Sequence, residues 1–153
     1  MSAHAALEAT IPPNPMALGD RFFQDVVIDA ASIRAFATLA GDFNPLHHDE
    51  EVAKAGPYGV LIASGTQVVS LMMGLDATHF SKYGEALGLG FDFRFVKAVP
   101  AGTALTLGWT VTASTYKPSL RGYLVTLDGD ARDAAGAVYV SAHGSNVLRP
   151  RAA

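Results

Sequence analysis

The densest run of polar, titratable residues in the chain is Gly41-Asp42-Phe43-Asn44-Pro45-Leu46-His47-His48-Asp49. An aspartate ionises near pH 3.9 and a histidine near 6.5 when unperturbed, so around neutrality Asp42 is an anion and His47 can be a neutral donor and acceptor. Five positions apart, they form a workable acid/base pair. Pro45 between them stiffens the loop, and a catalytic pair has to be held in place. Asn44 carries donors and an acceptor on one planar amide and can orient either neighbour or a water. The same residue types also build ordinary turns, so spacing alone leaves both readings open. A metal reading of His47, His48, Asp49 and Glu50 is weaker: adjacent residues point in different directions, and no second cluster has ligand spacing.

The elements around this run follow from hydrophobic period and end signals. Arg21 to Ile28 is rich in Phe and Val and predicts a strand, and Asp29 is suited to cap a following helix. Ile33, Phe36, Ala37 and Ala40 give that helix an apolar stripe, and Gly41 ends it, leaving Asp42 just past its C-terminus. Glu50 to Ala55 predicts a short helix, broken by Gly56-Pro57. Ser64-Gly65 opens the longest periodic segment, closed by Tyr83-Gly84. Val68, Leu71, Met72, Leu75 and His79 share one face of it, and Leu61, Val69 and Met73 add apolar residues around it. This helix is expected to be wrapped on most sides.

From there the period changes to two. Phe91, Phe93 and Phe95 alternate with Asp92, Arg94 and Val96, and Leu105, Leu107, Trp109 and Val111 with Thr106, Gly108, Thr110 and Thr112. Tyr123, Val125 and Leu127, and then Val138, Val140 and Ala142, continue the pattern. The expected plan is α+β, a meander of long antiparallel strands curling around the long helix and leaving a sheet edge for a second copy of the chain.

Composition narrows the function classes. With 153 residues there is room for one domain, and 50% hydrophobic against 16% charged residues excludes a disordered chain. A formal charge of −3 with scattered basic residues argues against nucleic acid as a partner. The absence of cysteine removes disulfides, thiolate zinc sites and a Cys nucleophile. No secretory leader pattern and no apolar run of about 18 residues is present, so a soluble, cytoplasmic protein without membrane partners is expected. The mean hydropathy of +0.24 suggests that another subunit or a ligand covers part of the apolar surface. Ile11-Pro12-Pro13-Asn14-Pro15 marks residues 1–19 as an arm before a single domain at 20–149, with 150–153 as a tail. Met72 and Met73 read as core or interface filler, and His79 and His143 as structural or exposed. Gly88-Leu89-Gly90 does not sit between a strand and a helix as a dinucleotide site requires.

Phe36-Ala37-Thr38-Leu39-Ala40-Gly41-Asp42-Phe43-Asn44-Pro45-Leu46-His47 resembles the hydratase-2 motif of MaoC-like dehydratases, the (R)-specific enoyl-CoA hydratases. The resemblance extends through Gly59-Val60-Leu61-Ile62-Ala63-Ser64-Gly65-Thr66 and Phe93-Arg94-Phe95-Val96-Lys97-Ala98-Val99-Pro100-Ala101-Gly102. It implies a hot-dog fold, an antiparallel sheet wrapped around a long helix, in a homodimer or higher homo-oligomer. It further implies that Asp42 and His47 activate water for addition to a trans-2-enoyl thioester and that Asn44 positions the pair. The Gly65 N–H would hold the thioester oxygen, with Ser64 and Thr66 beside the substrate. No metal or redox cofactor is implied, coenzyme A being part of the acyl-CoA substrate. Lys82, Arg94 and Lys97 are candidates to meet its phosphates.

Many relatives carry His-Gly where this chain has Ser64-Gly65. The glycine role stands, while Ser64 also reads as a helix N-cap and, with no Gly-x-Ser-x-Gly elbow, not as a nucleophile. Two other readings of the same residues are a hot-dog thioesterase and a non-catalytic acyl-CoA-binding subunit.

Overall fold

The computed structural model describes residues 11–151. Strand β1 (Arg21–Ile28) leads into helix α1 (Ala30–Ala40), a short 3-10 turn at Pro45–His47 and helix α2 (Glu50–Ala55). Helix α3 (Gly65–Ser81) follows, and then strands β2 (Gly84–Phe95), β3 (Thr103–Lys117), β4 (Gly122–Arg132) and β5 (Val138–Pro150). The five strands form one antiparallel sheet in the order β1-β3-β4-β5-β2.

This order corrects the expected meander. Strands β3, β4 and β5 do run as one, but β2 does not lie beside β3. It crosses to the far edge and pairs with β5, Phe95 opposite Val140 and Phe91 opposite Gly144. Period-two patterning says which face a residue occupies and carries nothing about which strand is its neighbour. Strand β2 also begins earlier than the Phe91–Phe95 alternation suggests, because its first half, Gly84-Glu85-Ala86-Leu87-Gly88, is broken from the rest by a register shift between Gly88 and Gly90.

Helix α3 lies in the concave side of the sheet. Val68, Met72 and Phe80 are buried there with Leu105, Leu107, Trp109, Val125, Leu127 and Leu148. Burial of this apolar area supplies the main driving force, on the order of 1.5–3 kcal/mol for each large side chain. Trp109 anchors the layer: its indole N–H donates to the Met72 carbonyl at 2.9 Å, and it meets the Phe91 and Phe93 rings edge-on. Gly129 lies against its ring, where a Cβ would stand 2.5 Å from Trp109 Cε3.

Only part of the expected arm at 1–19 is described. Residues 1–10 and 152–153 lie outside the described residues, but 11–19 are laid on the domain. Met16 is buried in the core, the Tyr123 hydroxyl donates to the Pro12 carbonyl at 2.6 Å, and the Gly19 N–H donates to the Val111 carbonyl. The prolines prevent helix and sheet ladders without preventing packing. At the other end Pro150 belongs to β5 and the Arg151 N–H donates to the Tyr83 carbonyl, so the domain reaches past 149.

Candidate active site

Most polar residues of the Asp42–Asp49 run are held by local bonds of the kind their types favour, and the His47 ring by a carbonyl fifteen residues away. Asp29 caps α1 through the Ser32 N–H at 2.7 Å, and α1 buries Ile33 and Ala37 against the core. Gly41 ends the helix at φ 72, a left-handed conformation that a residue with a Cβ adopts only at a cost, and its N–H and that of Asp42 take up the Thr38 and Ala37 carbonyls. That closure aims Asp42 out of the helix end. Asn44 then caps the 3-10 turn, its Oδ1 accepting from the Leu46 N–H at 3.1 Å, while its own N–H donates to Asp42 Oδ1 at 3.1 Å. The Asn44 side chain is therefore used in building the turn that carries His47, and Asn44 reaches the carboxylate through its backbone.

His47 is only 6% exposed. Its Nδ1 lies 2.7 Å from the Ile62 carbonyl, and its Nε2 lies 3.3 Å from Asp42 Oδ2. His48 fixes the loop from the other side, Nε2 against the Asp42 carbonyl at 2.7 Å and its ring stacked on Phe43. Asp49 caps α2 through the Glu51 and Val52 N–H groups, and Glu50 accepts from Arg34 at 2.6 Å, an ion pair that holds its carboxyl below the usual range. Among the described residues no group of three His, Cys, Asp or Glu is placed to hold a metal ion.

The segments around Ile62 and Pro100, far apart in sequence, meet here. Ile62 bridges Pro100, its N–H donates to the Leu46 carbonyl at 3.1 Å, and the Ala63 N–H donates to the Val99 carbonyl at 2.9 Å. They bring the N-terminus of α3 to the His47 turn. A cavity of about 340 Å³ opens between them, lined by Asp42, His47, Ser64, Gly65, Thr66 and Phe95 among others. Ser64 occupies the N-cap position of α3 yet its side chain makes no cap bond, contrary to its reading as a simple cap; its Oγ accepts from Thr66 Oγ1 at 3.3 Å. The first N–H groups of a helix have no partner inside it, so this end offers free donors at the positive end of the helix dipole. Gly65 admits a neighbour that no other residue would: a Cβ there would lie 2.5 Å from the Phe95 ring.

Among the candidate cations, Lys97 lines the cavity, held by its own N–H on the Tyr139 carbonyl and by its ammonium 5.0 Å above the Tyr139 ring. Arg94 lies in a separate hollow with Asp92 and His143, and Lys82 lies at the opposite end of α3, about 25 Å from Gly65 at 1.5 Å per residue. His79 stacks on Phe22 at 3.8 Å, and burial with nearby Lys82 lowers its pKa; His143 pairs with Asp128 at 2.7 Å.

Sequence reasoning passed over one buried polar pair. Asp76, 3% exposed, accepts from Asn146 Nδ2 at 2.9 and 3.0 Å, and burial pushes its pKa up to about 6. Its signal was available: Asp76 continues the Val68, Met72 stripe at i+4 and so stands at a core position.

A family model for the MaoC like domain matches residues 16–121, which contain every residue of the cavity except Val140. The chain belongs to the MaoC-like dehydratase family. Its sheet and helix are the hot-dog fold of that family's solved members. The MaoC-like dehydratase from Rhodospirillum rubrum is 30% identical, with a TM-score of 0.75 over 90% of this chain and 96% of that one. The (R)-hydratase from A. caviae involved in PHA biosynthesis is 26% identical, with a TM-score of 0.79 over 89% of this chain and 99% of that one. Among curated proteins, the MaoC-like chain is 32% identical over 81 residues to 3-hydroxyacyl-thioester dehydratase Z of Mycobacterium tuberculosis, a match spanning 51% of this chain and 54% of that protein. It thus spans about half the length of that relative. No helix among the described residues is long and apolar enough to cross a membrane.

Proposed function

We propose that this protein is a hydro-lyase that interconverts a trans-2-enoyl thioester and the (R)-3-hydroxyacyl thioester, with Asp42 and His47 as the acid/base pair. One observation carries the reading. The Ile62 carbonyl can only accept, so His47 Nδ1 must carry a proton, and in the neutral ring Nε2 is then left with a lone pair. Nε2 and the Asp42 carboxylate are thus two acceptors 3.3 Å apart, facing a cavity beside an uncapped helix N-terminus. Two acceptors so close are relieved by a proton shared between them or by a molecule that donates to both, and water is the smallest molecule that can do so and then give up a proton to the pair.

In the hydration direction, water bound to both groups attacks C3 of the enoyl chain while one of them takes its proton. The electron pair of the C2–C3 double bond moves toward the carbonyl, and the Gly65 N–H stabilises the charge that gathers on the thioester oxygen. The pair then returns a proton to C2, so proton and electron counts balance without a redox partner. Dehydration is the same path reversed. Lys97, the cation among the cavity's lining residues, would then meet a phosphate of an acyl-CoA.

A homodimer completes the proposal. Strand β2 is an edge with a free row of backbone groups, and Leu87, Leu89, Phe95 and Val96 are exposed on and just after it. A second copy that pairs there would cover them. Sedimentation tests this.

The enzymatic test follows the enoyl-thioester absorbance with crotonyl-CoA and longer trans-2-enoyl-CoAs, while a thiol reagent monitors coenzyme A. Loss of absorbance without thiol release, abolished in Asp42→Asn and His47→Ala variants that remain folded, is the expected result. Thiol release would make the protein a thioesterase, and silence in both signals would leave an acyl-CoA-binding subunit.

A further inference from the structure

We infer that the Ser64 hydroxyl is a second donor to the thioester oxygen, acting beside the Gly65 N–H. The inference rests on the hydro-lyase reading of the site and adds a catalytic residue to it. Among the described residues, four with cap-forming side chains stand just before a helix or 3-10 turn, and three of them cap it: Asp29 takes the Ser32 N–H, Asn44 takes that of Leu46, and Asp49 takes those of Glu51 and Val52. Ser64 alone does not, although its backbone is extended at φ −63 and ψ 142, as a cap residue's is, and serine is among the preferred caps.

What its hydroxyl does instead is accept from Thr66 Oγ1 at 3.3 Å. With that bond filled, the Ser64 proton has no acceptor among the described residues, in a residue that is 4% exposed and lines the cavity. A buried hydroxyl proton without an acceptor is costly, and an alanine here would avoid the cost. The cavity's occupant is where an acceptor can come from. Ser64 and Gly65 line the same cavity, so an acyl oxygen that accepts from the Gly65 N–H is the acceptor we assign to the Ser64 hydroxyl, two donors on one atom being the arrangement that stabilises an oxyanion. The bond from Thr66 polarises the Ser64 O–H and strengthens it as a donor.

The test compares the natural protein with Ser64→Ala, Ser64→Thr and Ser64→Cys. With crotonyl-CoA, Ser64→Ala is expected to lower kcat by about 10²-fold, the usual cost of one such donor, with KM little changed. The melting temperature should not fall appreciably: no cap bond is lost, and the lost bond from Thr66 is offset by removal of the unmet hydroxyl proton. Ser64→Thr keeps the hydroxyl and should keep most of the activity. The separate readout is the infrared carbonyl band of bound butyryl-CoA carrying ¹³C at C1. The natural protein should pull it to lower frequency, and Ser64→Ala should pull it less. A Ser64→Ala variant with natural kcat, or with an unmoved carbonyl band, overturns the inference. So does a fall in kcat that only follows a fall in melting temperature. If the alanine variant does not fold, Ser64→Cys, a weaker donor of similar size, gives the same band comparison. A natural protein inactive on every enoyl thioester would instead sink the hydro-lyase reading and this inference with it.

Discussion

Two glycines of this chain present the same steric fact with opposite consequences. A Cβ at Gly65 would stand 2.5 Å from the Phe95 ring, and one at Gly129 would stand 2.5 Å from the Trp109 ring. Ordinary contact begins near 3.4 Å, so in either Gly→Ala variant the ring must move by about 0.9 Å. Phe95 is 61% exposed and can swing toward solvent, whereas Trp109 is fully buried and also tied to the Met72 carbonyl. Overpacking costs about 1–3 kcal/mol, so Gly65→Ala belongs at the low end and Gly129→Ala at the high end. For a chain of this size each kcal/mol moves the melting temperature by about 2–4 °C. The activities should reverse this order. At Gly65 the displaced ring and the new methyl stand where the proposed mechanism brings the thioester oxygen, and a misplacement of about 1 Å can cost on the order of 10²-fold in rate. Gly65→Ala is therefore expected to be stable and nearly inactive, and Gly129→Ala unstable but, at a temperature where it is folded, active. Calorimetry and the enoyl-thioester absorbance assay read both. A fully active Gly65→Ala, or one that melts as early as Gly129→Ala, would refute the placement of substrate against Gly65. Partial recovery of activity in Gly65→Ala combined with Phe95→Ala would locate the damage in the ring.

Asp42→Asn and His47→Ala should each lower kcat by roughly 10²–10⁴-fold, and the double variant should lose little more than the worse single one, because the two act on one water. Steady-state kinetics on the three proteins decide this. Asp76 gives a stability prediction with a definite sign. Its pKa is raised from 3.8 to about 6 on folding, so the native state binds the extra proton between those values, and stability should rise as pH falls from about 6 to 4. His79, whose pKa is lowered, works the other way as pH falls, so the comparison is with Asp76→Asn. That variant should exceed the natural protein by on the order of 3 kcal/mol at pH 7, the gap closing toward pH 4, in denaturant titrations across the range. Met16→Ala should cost about 2–5 kcal/mol by the same titrations, because the segment before β1 is part of the core; a cost near zero would return it to a loose arm.

Much of the site was legible before any fold was known, because its parts are local. Asp29 and Gly41 bound a helix by cap chemistry that acts within four residues, and Asn44-Pro45 makes a turn from its own side chain, so Asp42 and His47 are carried to the same side of the loop without help from elsewhere. Helix α3 and the alternating strands were legible for a similar reason, since period reports face. The rest depended on pairing between distant segments. That β2 crosses to pair with β5, that Ile62 meets Pro100 and orients His47 through its carbonyl, and that Phe95 covers Gly65 are outcomes of strand order and close approach, which leave no local pattern. Asp76 shows the boundary between the two. The chain alone put a carboxyl on the buried stripe of α3, but only the packing of that helix on β5 supplied Asn146 as its partner and made the burial tolerable. The sequence by itself determined the elements that carry Asp42 and His47, the residues proposed as the acid/base pair, because caps, turns and periods act over a few residues. The tertiary structure decided the hydrogen-bond partner of the His47 ring, the partner of Asp76 and the shape of the cavity, because each is set by groups that the chain brings together from afar.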